Sequence, residues 1–272
     1  MRAFRFSNSV LRTLSASRRP ATTTHLQQQQ HQQAQQQNLP AAPRRRSSSI
    51  VAMAATSASP SLGRLDPATT ALFVCDVQER FRPLIAGFDA VAETSSRLVR
   101  GARALGLPAI VVTEQYPKAL GPTVDEIASV LDDAPPSTSA TGTETKATVV
   151  AKTDFSMLVP EVQRALPQNI KSVILCGIEA HVCVWQTTLD LRSRDVDVHL
   201  CVDGISSQRL SDRELGLRRA AQAGAFLCSS EMVLFQLTRG TSNPAFKAVS
   251  ALAKEERKAA ALPGLGGGAA RL

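Results

Sequence analysis

Three residues of different chemistry each follow a short apolar run. Asp76 follows Ala71-Leu72-Phe73-Val74-Cys75, and Lys152 follows Thr148-Val149-Val150-Ala151. Cys183 is reached from Val173-Ile174-Leu175-Cys176-Gly177 through Ile178-Glu179-Ala180-His181-Val182. A cysteine is nucleophilic as its thiolate, which needs a proton acceptor and benefits from a nearby cation. Asp76 and Lys152 supply both if the three strand ends converge. Taken singly, Asp76 also reads as a turn or cap aspartate and Lys152 as a solvated strand end. Cys183 differs from Cys75, Cys176, Cys201 and Cys228, which fall in strand-like runs where a small thiol fills core space. It opens a helical pattern carrying Val184, Trp185, Thr188 and Leu189. There the helix dipole and unbonded amides favour negative charge.

These residues need a scaffold that gathers separate strand ends. From Thr70 onward β-rich runs alternate with helical patterns. The strand candidates are 71–76, 109–113, 147–151, 172–176, 196–201 and 225–228. Helical patterns lie near 91–105, 124–131, 159–166, 181–194, 211–223 and 231–237. This alternation predicts an α/β fold: one parallel sheet with helices on both faces. In an open sheet of that kind ligands bind beyond the carboxyl ends of the strands, where all three residues fall. Ser211 with Glu214 three residues on reads as a capping box, and Gly224 suits the end of the same helix. The Gly264-Leu265-Gly266-Gly267-Gly268 run follows no strand and opens no helix, so it is not a nucleotide loop.

The net charge of +8 suggests nucleic acid until it is located. Residues 1–65 hold nine arginines and no acid, which leaves 22 basic against 23 acidic side chains from Asp66 onward. The folded part therefore has no general field for phosphate, and no nucleic-acid partner is expected. The basic segment interleaves Arg and Ser with Phe4, Phe6, Val10, Leu11 and Leu14, then runs into glutamines 27–37 and Arg44-Arg45-Arg46. It reads as a disordered address, mitochondrial in character. A chloroplast address, or cytosolic initiation at Met53, is the alternative. The expected domains are thus 1–65 for targeting, 66–240 for the enzyme, and 241–272 as a C-terminal extension with a loose Gly-rich end. No apolar run reaches the roughly 20 residues of a membrane span. Five cysteines without a C-x-x-C pair argue against a disulfide framework or a zinc ribbon.

The segments Asp76-Val77-Gln78-Glu79-Arg80-Phe81, Lys152-Thr153-Asp154-Phe155-Ser156-Met157 and 177–187 around Cys183 resemble the isochorismatase-like cysteine hydrolases. Glu114-Gln115-Tyr116-Pro117-Lys118 resembles the branch called isochorismatase domain-containing proteins. The resemblance covers about residues 65–237. It implies a three-layer α/β/α sandwich with a six-stranded, Rossmann-like parallel sheet in the order 3-2-1-4-5-6. It also implies a catalytic triad in which Asp76 takes the Cys183 proton and Lys152 favours the thiolate. Cys183 would attack a small amide or carbamoyl carbonyl, and water would cleave the thioester. The backbone N–H groups of Glu179 and Cys183 would hold the oxyanion. In relatives the peptide corresponding to 178–179 is cis, and relatives commonly assemble as homo-oligomers. Phe81, and more weakly Tyr116 and Phe155, would line the substrate pocket. Trp185, two positions after Cys183 on a helix, points elsewhere.

One departure narrows the substrate. Metal-binding nicotinamidases of this family carry clustered histidines after the second strand, whereas 113–118 here has none. From Asp66 onward the only histidines are His181 and His199, too few for a His-rich metal site, so no metal or other cofactor is expected. The competing readings are isochorismatase-type vinyl ether hydrolysis, a non-catalytic interaction protein on the same fold, and a thiol redox protein. For the last, no C-x-x-C motif supplies a resolving partner to Cys183.

Overall fold

The computed structural model describes residues 61–131, 145–257 and 259–264. Residues 1–60, 132–144, 258 and 265–272 lie outside them, and with them the targeting expectation. Six strands form one parallel sheet in the order β3-β2-β1-β4-β5-β6, as the resemblance implied. They are β1 Thr70–Cys75, β2 Ala109–Gln115, β3 Lys146–Lys152, β4 Ser172–Ile178, β5 Asp197–Ser206 and β6 Phe226–Cys228. Every residue of β1 and β4 is buried, because helices cover both faces at the middle of the sheet. The outer strand β3 alternates with exposed positions instead.

The helices are α1 Phe88–Leu105, α2 Pro117–Leu120, α3 Asp125–Leu131, α4 Pro160–Ala165, α5 Cys183–Arg192, α6 Leu210–Gln222, α7 Ser230–Thr238 and α8 Phe246–Lys254. On one face α1 packs against α3, α7 and α8; elsewhere α5 packs against α6. Gly106, in the left-handed conformation at φ +66°, ends α1. Gly224 at φ +88° follows α6 as its sequence position suggested.

The capping box is not formed. Arg209, with extended φ and ψ, occupies the N-cap position of α6, so Ser211 already lies inside the first turn. Glu214 turns to Arg218 at 2.6 Å instead. Side-chain capping occurs one helix later, where Ser229 accepts from the Met232 N–H at the start of α7.

Both expected domain edges shift outward. Leu65, assigned to the targeting segment, is 2 % exposed and belongs to the core. Ser61 donates to Asp197, and the Gly63 carbonyl accepts from Gln236, so 61–65 is part of the domain. At the other end α8 buries Val249 and Leu252 beside α1 and α7. The Pro263 carbonyl accepts from Arg213 at 3.0 Å. The region 241–264 therefore completes the helical layer. Its few apolar positions, spaced three apart among Lys and Ala, gave little periodic signal.

Candidate active site

Strand register places the site. Cys75, the last residue of β1, pairs with Thr113 of β2 on one side and Gly177 of β4 on the other. Lys152, the last residue of β3, pairs with Gln115 of β2. Asp76 follows β1 at φ +53°, a left-handed turn that lifts its side chain off the strand end. Two glycines let the backbone close around it. A Cβ on Gly177 would lie 2.1 Å from the Cys75 carbonyl oxygen, so β4 can approach β1 only with glycine there. A Cβ on Gly216 would meet the Ala180 backbone at 2.6 Å, so α6 presses directly on the turn that leads to Cys183.

In that turn the Ile178–Glu179 peptide is cis. The Glu179 carbonyl accepts from the N–H groups of Val182 and Val184. The Glu179 carboxylate accepts from the Gln208 N–H at 2.9 Å. Cys183 is the first residue of α5, where the N–H groups have no intrahelical acceptor.

The three expected residues converge. Lys152 Nζ lies 2.8 Å from Asp76 Oδ2 and 3.9 Å from Cys183 Sγ. The Lys152 and Asp76 side chains are 0 % and 1 % exposed, and Cys183 is 7 % exposed. Burial alone would lower the pKa of the Lys152 ammonium. The negative charge that Cys75, Asp76 and Cys183 can carry outweighs it and raises the value above 10.5. Lysine therefore holds its proton here, and it is positioned to attract negative charge onto the Cys183 sulfur.

Several contributors were not singled out in the sequence. The Thr113 hydroxyl donates to Asp76 Oδ1 at 2.8 Å, and Gln115 Oε1 accepts from Lys152 at 2.6 Å. The carbonyls of Asp154 and Phe155 accept from the same ammonium at 3.0 and 3.1 Å. Gln78 ties the surrounding loops together: its amide oxygen accepts from the Gln115 N–H, and its NH₂ donates to the Gln115 and Gly121 carbonyls. The position of Thr113 and Gln115 at a strand's carboxyl end was the available signal. Cys75 is the more consequential omission. Expected as core filling, it is fully buried, but its thiol donates to Asp76 Oδ2 at 3.5 Å. The ligating atoms of Cys75, Asp76 and Cys183 lie within 4.8 Å of one another, and no histidine joins this group.

The aromatic residues divide. Tyr116, half exposed, lines a cleft of about 570 Å³ together with Lys118, Lys152, Asp154 and Glu161. Phe155 is also half exposed and reaches the site through its carbonyl. Phe81 ends a short 3₁₀ turn and packs half-buried against the core, outside that cleft's lining. Trp185 packs half-buried against the core with the Arg219 guanidinium of α6 over its ring at 5.5 Å. His199 is buried in β5 and stacks on Phe226 at 5.1 Å; burial pushes its pKa down to about 4. A larger surface cavity of about 740 Å³, lined by Asp89, Arg100, Glu126 and Glu255, contains none of the site residues.

Comparison with known proteins agrees with this fold. The isochorismatase domain model matches residues 70–232, from the start of β1 into α7. The chain is 46 % identical to the secreted isochorismatase effector Isc1 of Phytophthora sojae, over 75 % of this chain and 94 % of that protein. It is 43 % identical to isochorismatase domain-containing protein 1 of Danio rerio, over 71 % of this chain but only 64 % of that relative's length. Among solved structures, one described as the MAR1 ribonuclease of Caenorhabditis elegans superposes with a TM-score of 0.62 at 41 % identity, covering 70 % of this chain and 91 % of that one. The chain belongs to the isochorismatase family and has its hydrolase fold.

Proposed function

We propose that the protein hydrolyses a small amide or carbamoyl compound at its C–N bond through a thioester on Cys183. The observation that carries this reading is the buried ammonium of Lys152, which lies 2.8 Å from the Asp76 carboxylate and 3.9 Å from the Cys183 sulfur. That arrangement sets the Cys183 thiol beside a cation and a proton acceptor, the requirement for covalent catalysis by cysteine. Asp76 takes the Cys183 proton. The sulfur attacks the carbonyl carbon, and the tetrahedral oxyanion is held by the backbone N–H groups of Glu179 and Cys183. The C–N bond breaks as the proton returns to the leaving nitrogen, releasing ammonia or an amine. Water, deprotonated by Asp76, then cleaves the C–S bond, giving the acid and the free thiol. Tyr116 and Phe155 border the approach to Lys152, and Phe81 is proposed for the wall on the Asp76 side. No step needs a metal or other cofactor.

A second reading, vinyl ether hydrolysis of isochorismate, is favoured by the name of the Phytophthora relative. It has no use for a thiol nucleophile. The ribonuclease description of the nematode structure points to RNA, but 22 basic against 23 acidic side chains from Asp66 onward give no general field for a polyanion. Self-association is also proposed. It is supported by the unpaired outer edge of β3, where Val149 is half exposed.

The deciding experiment offers the purified chain a panel of small amides, ureas and carbamates together with isochorismate, reading ammonia and pyruvate release. The expected result is ammonia from at least one compound, abolished in Cys183→Ala. Turnover of isochorismate alone, undiminished in Cys183→Ala, would establish the second reading instead.

A further inference from the structure

Cys75 has no part in the hydrolytic steps, yet its thiol shares a buried space with the nucleophile. Its sulfur lies within 4.8 Å of Cys183 Sγ. Cys75 Sγ also donates to Asp76 Oδ2 at 3.5 Å. We infer that Cys75 and Cys183 form a dithiol site at which a small hydroperoxide drives a reversible disulfide, with Cys183 as the attacking thiol and Cys75 as the resolving one.

The two sulfurs differ in the way such a pair requires. Cys183 stands at the start of α5 beside the Lys152 ammonium and retains 7 % exposure. Cys75 is 0 % exposed inside β1. Burial, the neighbouring Cys183 and the charge of Asp76 push its thiol well above the usual range, so it keeps its proton until it is used. In the first step the Cys183 thiolate attacks the terminal oxygen of R–O–O–H. The O–O bond breaks, an S–O bond forms, and the alkoxide takes the proton that Asp76 received from Cys183 to leave as R–OH. Cys183 is now a sulfenic acid. In the second step Cys75 gives its proton to Asp76 and attacks the Cys183 sulfur. The S–S bond forms, the S–O bond breaks, and the departing hydroxide takes the proton from Asp76 to leave as water. The two thiols lose two electrons and two protons, and the hydroperoxide gains them. The S–S distance must close to about 2.05 Å. Cys75 is held by hydrogen-bonded neighbours on both sides, so the approach comes from the turn at 179–183.

A second pair of buried thiols, Cys201 and Cys228 on adjacent strands, is also in mutual contact and provides an internal comparison. Cys228 immediately precedes the N-cap of α7, but among the described residues no lysine hydrogen-bonds to either sulfur. The neighbouring Cys228 and burial hold the Cys201 thiol well above the usual range. It should be the slower pair.

The inference shares Cys183 and its Lys152 neighbour with the proposed hydrolase, but the test reads thiol masses and does not depend on turnover. The full chain is treated with hydrogen peroxide, quenched with N-ethylmaleimide and mapped without reduction. The expected product is a linked peptide pair joining Cys75 and Cys183, lighter by two hydrogens, with both thiols recovered after dithiothreitol. In Cys75→Ser, Cys183 should pass on to the sulfinic acid, which dithiothreitol does not reverse. Two results would overturn the inference in the native chain, whether or not the variant folds. One is Cys183 sulfinic acid while Cys75 remains alkylatable. The other is a Cys201–Cys228 link appearing before any link to Cys75.

Discussion

The pair Lys152–Asp76 should be worth several kcal/mol only as a pair, and this can be measured. The charges are 2.8 Å apart with side chains 0 % and 1 % exposed. At an effective dielectric of about 20 their attraction is roughly 6 kcal/mol, most of it offset by desolvation of both ions. Lys152→Met removes one partner and leaves the buried carboxylate of Asp76 with the Thr113 hydroxyl and the weaker Cys75 thiol. It also removes the donor that satisfies Gln115 Oε1 and the carbonyls of Asp154 and Phe155. Breaking a buried pair in this way costs about 3–5 kcal/mol. For a domain of this size the thermal midpoint should fall by roughly 2–4 °C for each kcal/mol lost. Asp76→Asn combined with Lys152→Met removes both charges and should recover about half of that loss or more. The assay is urea unfolding of the full chain at pH 7, followed by circular dichroism, for the native chain, both single variants and the double. The pH dependence has a definite sign. The Lys152 pKa is raised above 10.5, so its contribution is fully present below that value and is lost only as the pH climbs through the raised one. The difference between native and Lys152→Met should therefore be flat from pH 6 to 9 as far as Lys152 is concerned. A loss below about 1 kcal/mol in Lys152→Met, or strictly additive single effects, would refute the buried pair.

Three further outcomes are expected. Cys183 should react with iodoacetamide before Cys75, Cys176 and Cys201, which are fully buried, and also before Cys228. The Cys228 comparison is the discriminating one: both are 7 % exposed and both lie by a helix start, so the Lys152 ammonium is what favours Cys183. Lys152→Met should slow Cys183 labelling several-fold, and labelling of Cys228 first in mass-mapped protein would count against the nucleophile. A chain beginning at Ser61 should keep the full chain's thermal midpoint, whereas Leu65→Ala should lose about 2–4 kcal/mol because Leu65 is 2 % exposed in the core. Residues 1–65 are proposed to direct a fluorescent fusion to mitochondria, on the strength of nine arginines without an acid, and a fusion that stays cytosolic would refute the address.

The sequence by itself determined the alternation of strands and helices, because apolar periodicity and length survive without any knowledge of partners. It also marked Asp76, Lys152 and Cys183, since reactive side chains directly after apolar runs are visible in one dimension. The family motifs supplied the strand order that makes those ends neighbours. Local signals were less dependable. Ser211 and Glu214 have the spacing of a capping box, yet the packing of α6 on the Cys183 turn at Gly216 starts that helix at Leu210. The domain edges at Leu65 and at α8 were illegible because one or two apolar residues in a polar stretch mean nothing until a groove exists to bury them. Tertiary structure alone decided the role of Cys75. In sequence it is one apolar residue of a strand, indistinguishable from Cys176 or Cys201. Its contact with Asp76 and Cys183 depends on the register of β1 against β4 and on the missing side chain at Gly177, and neither is a property of the residues flanking Cys75.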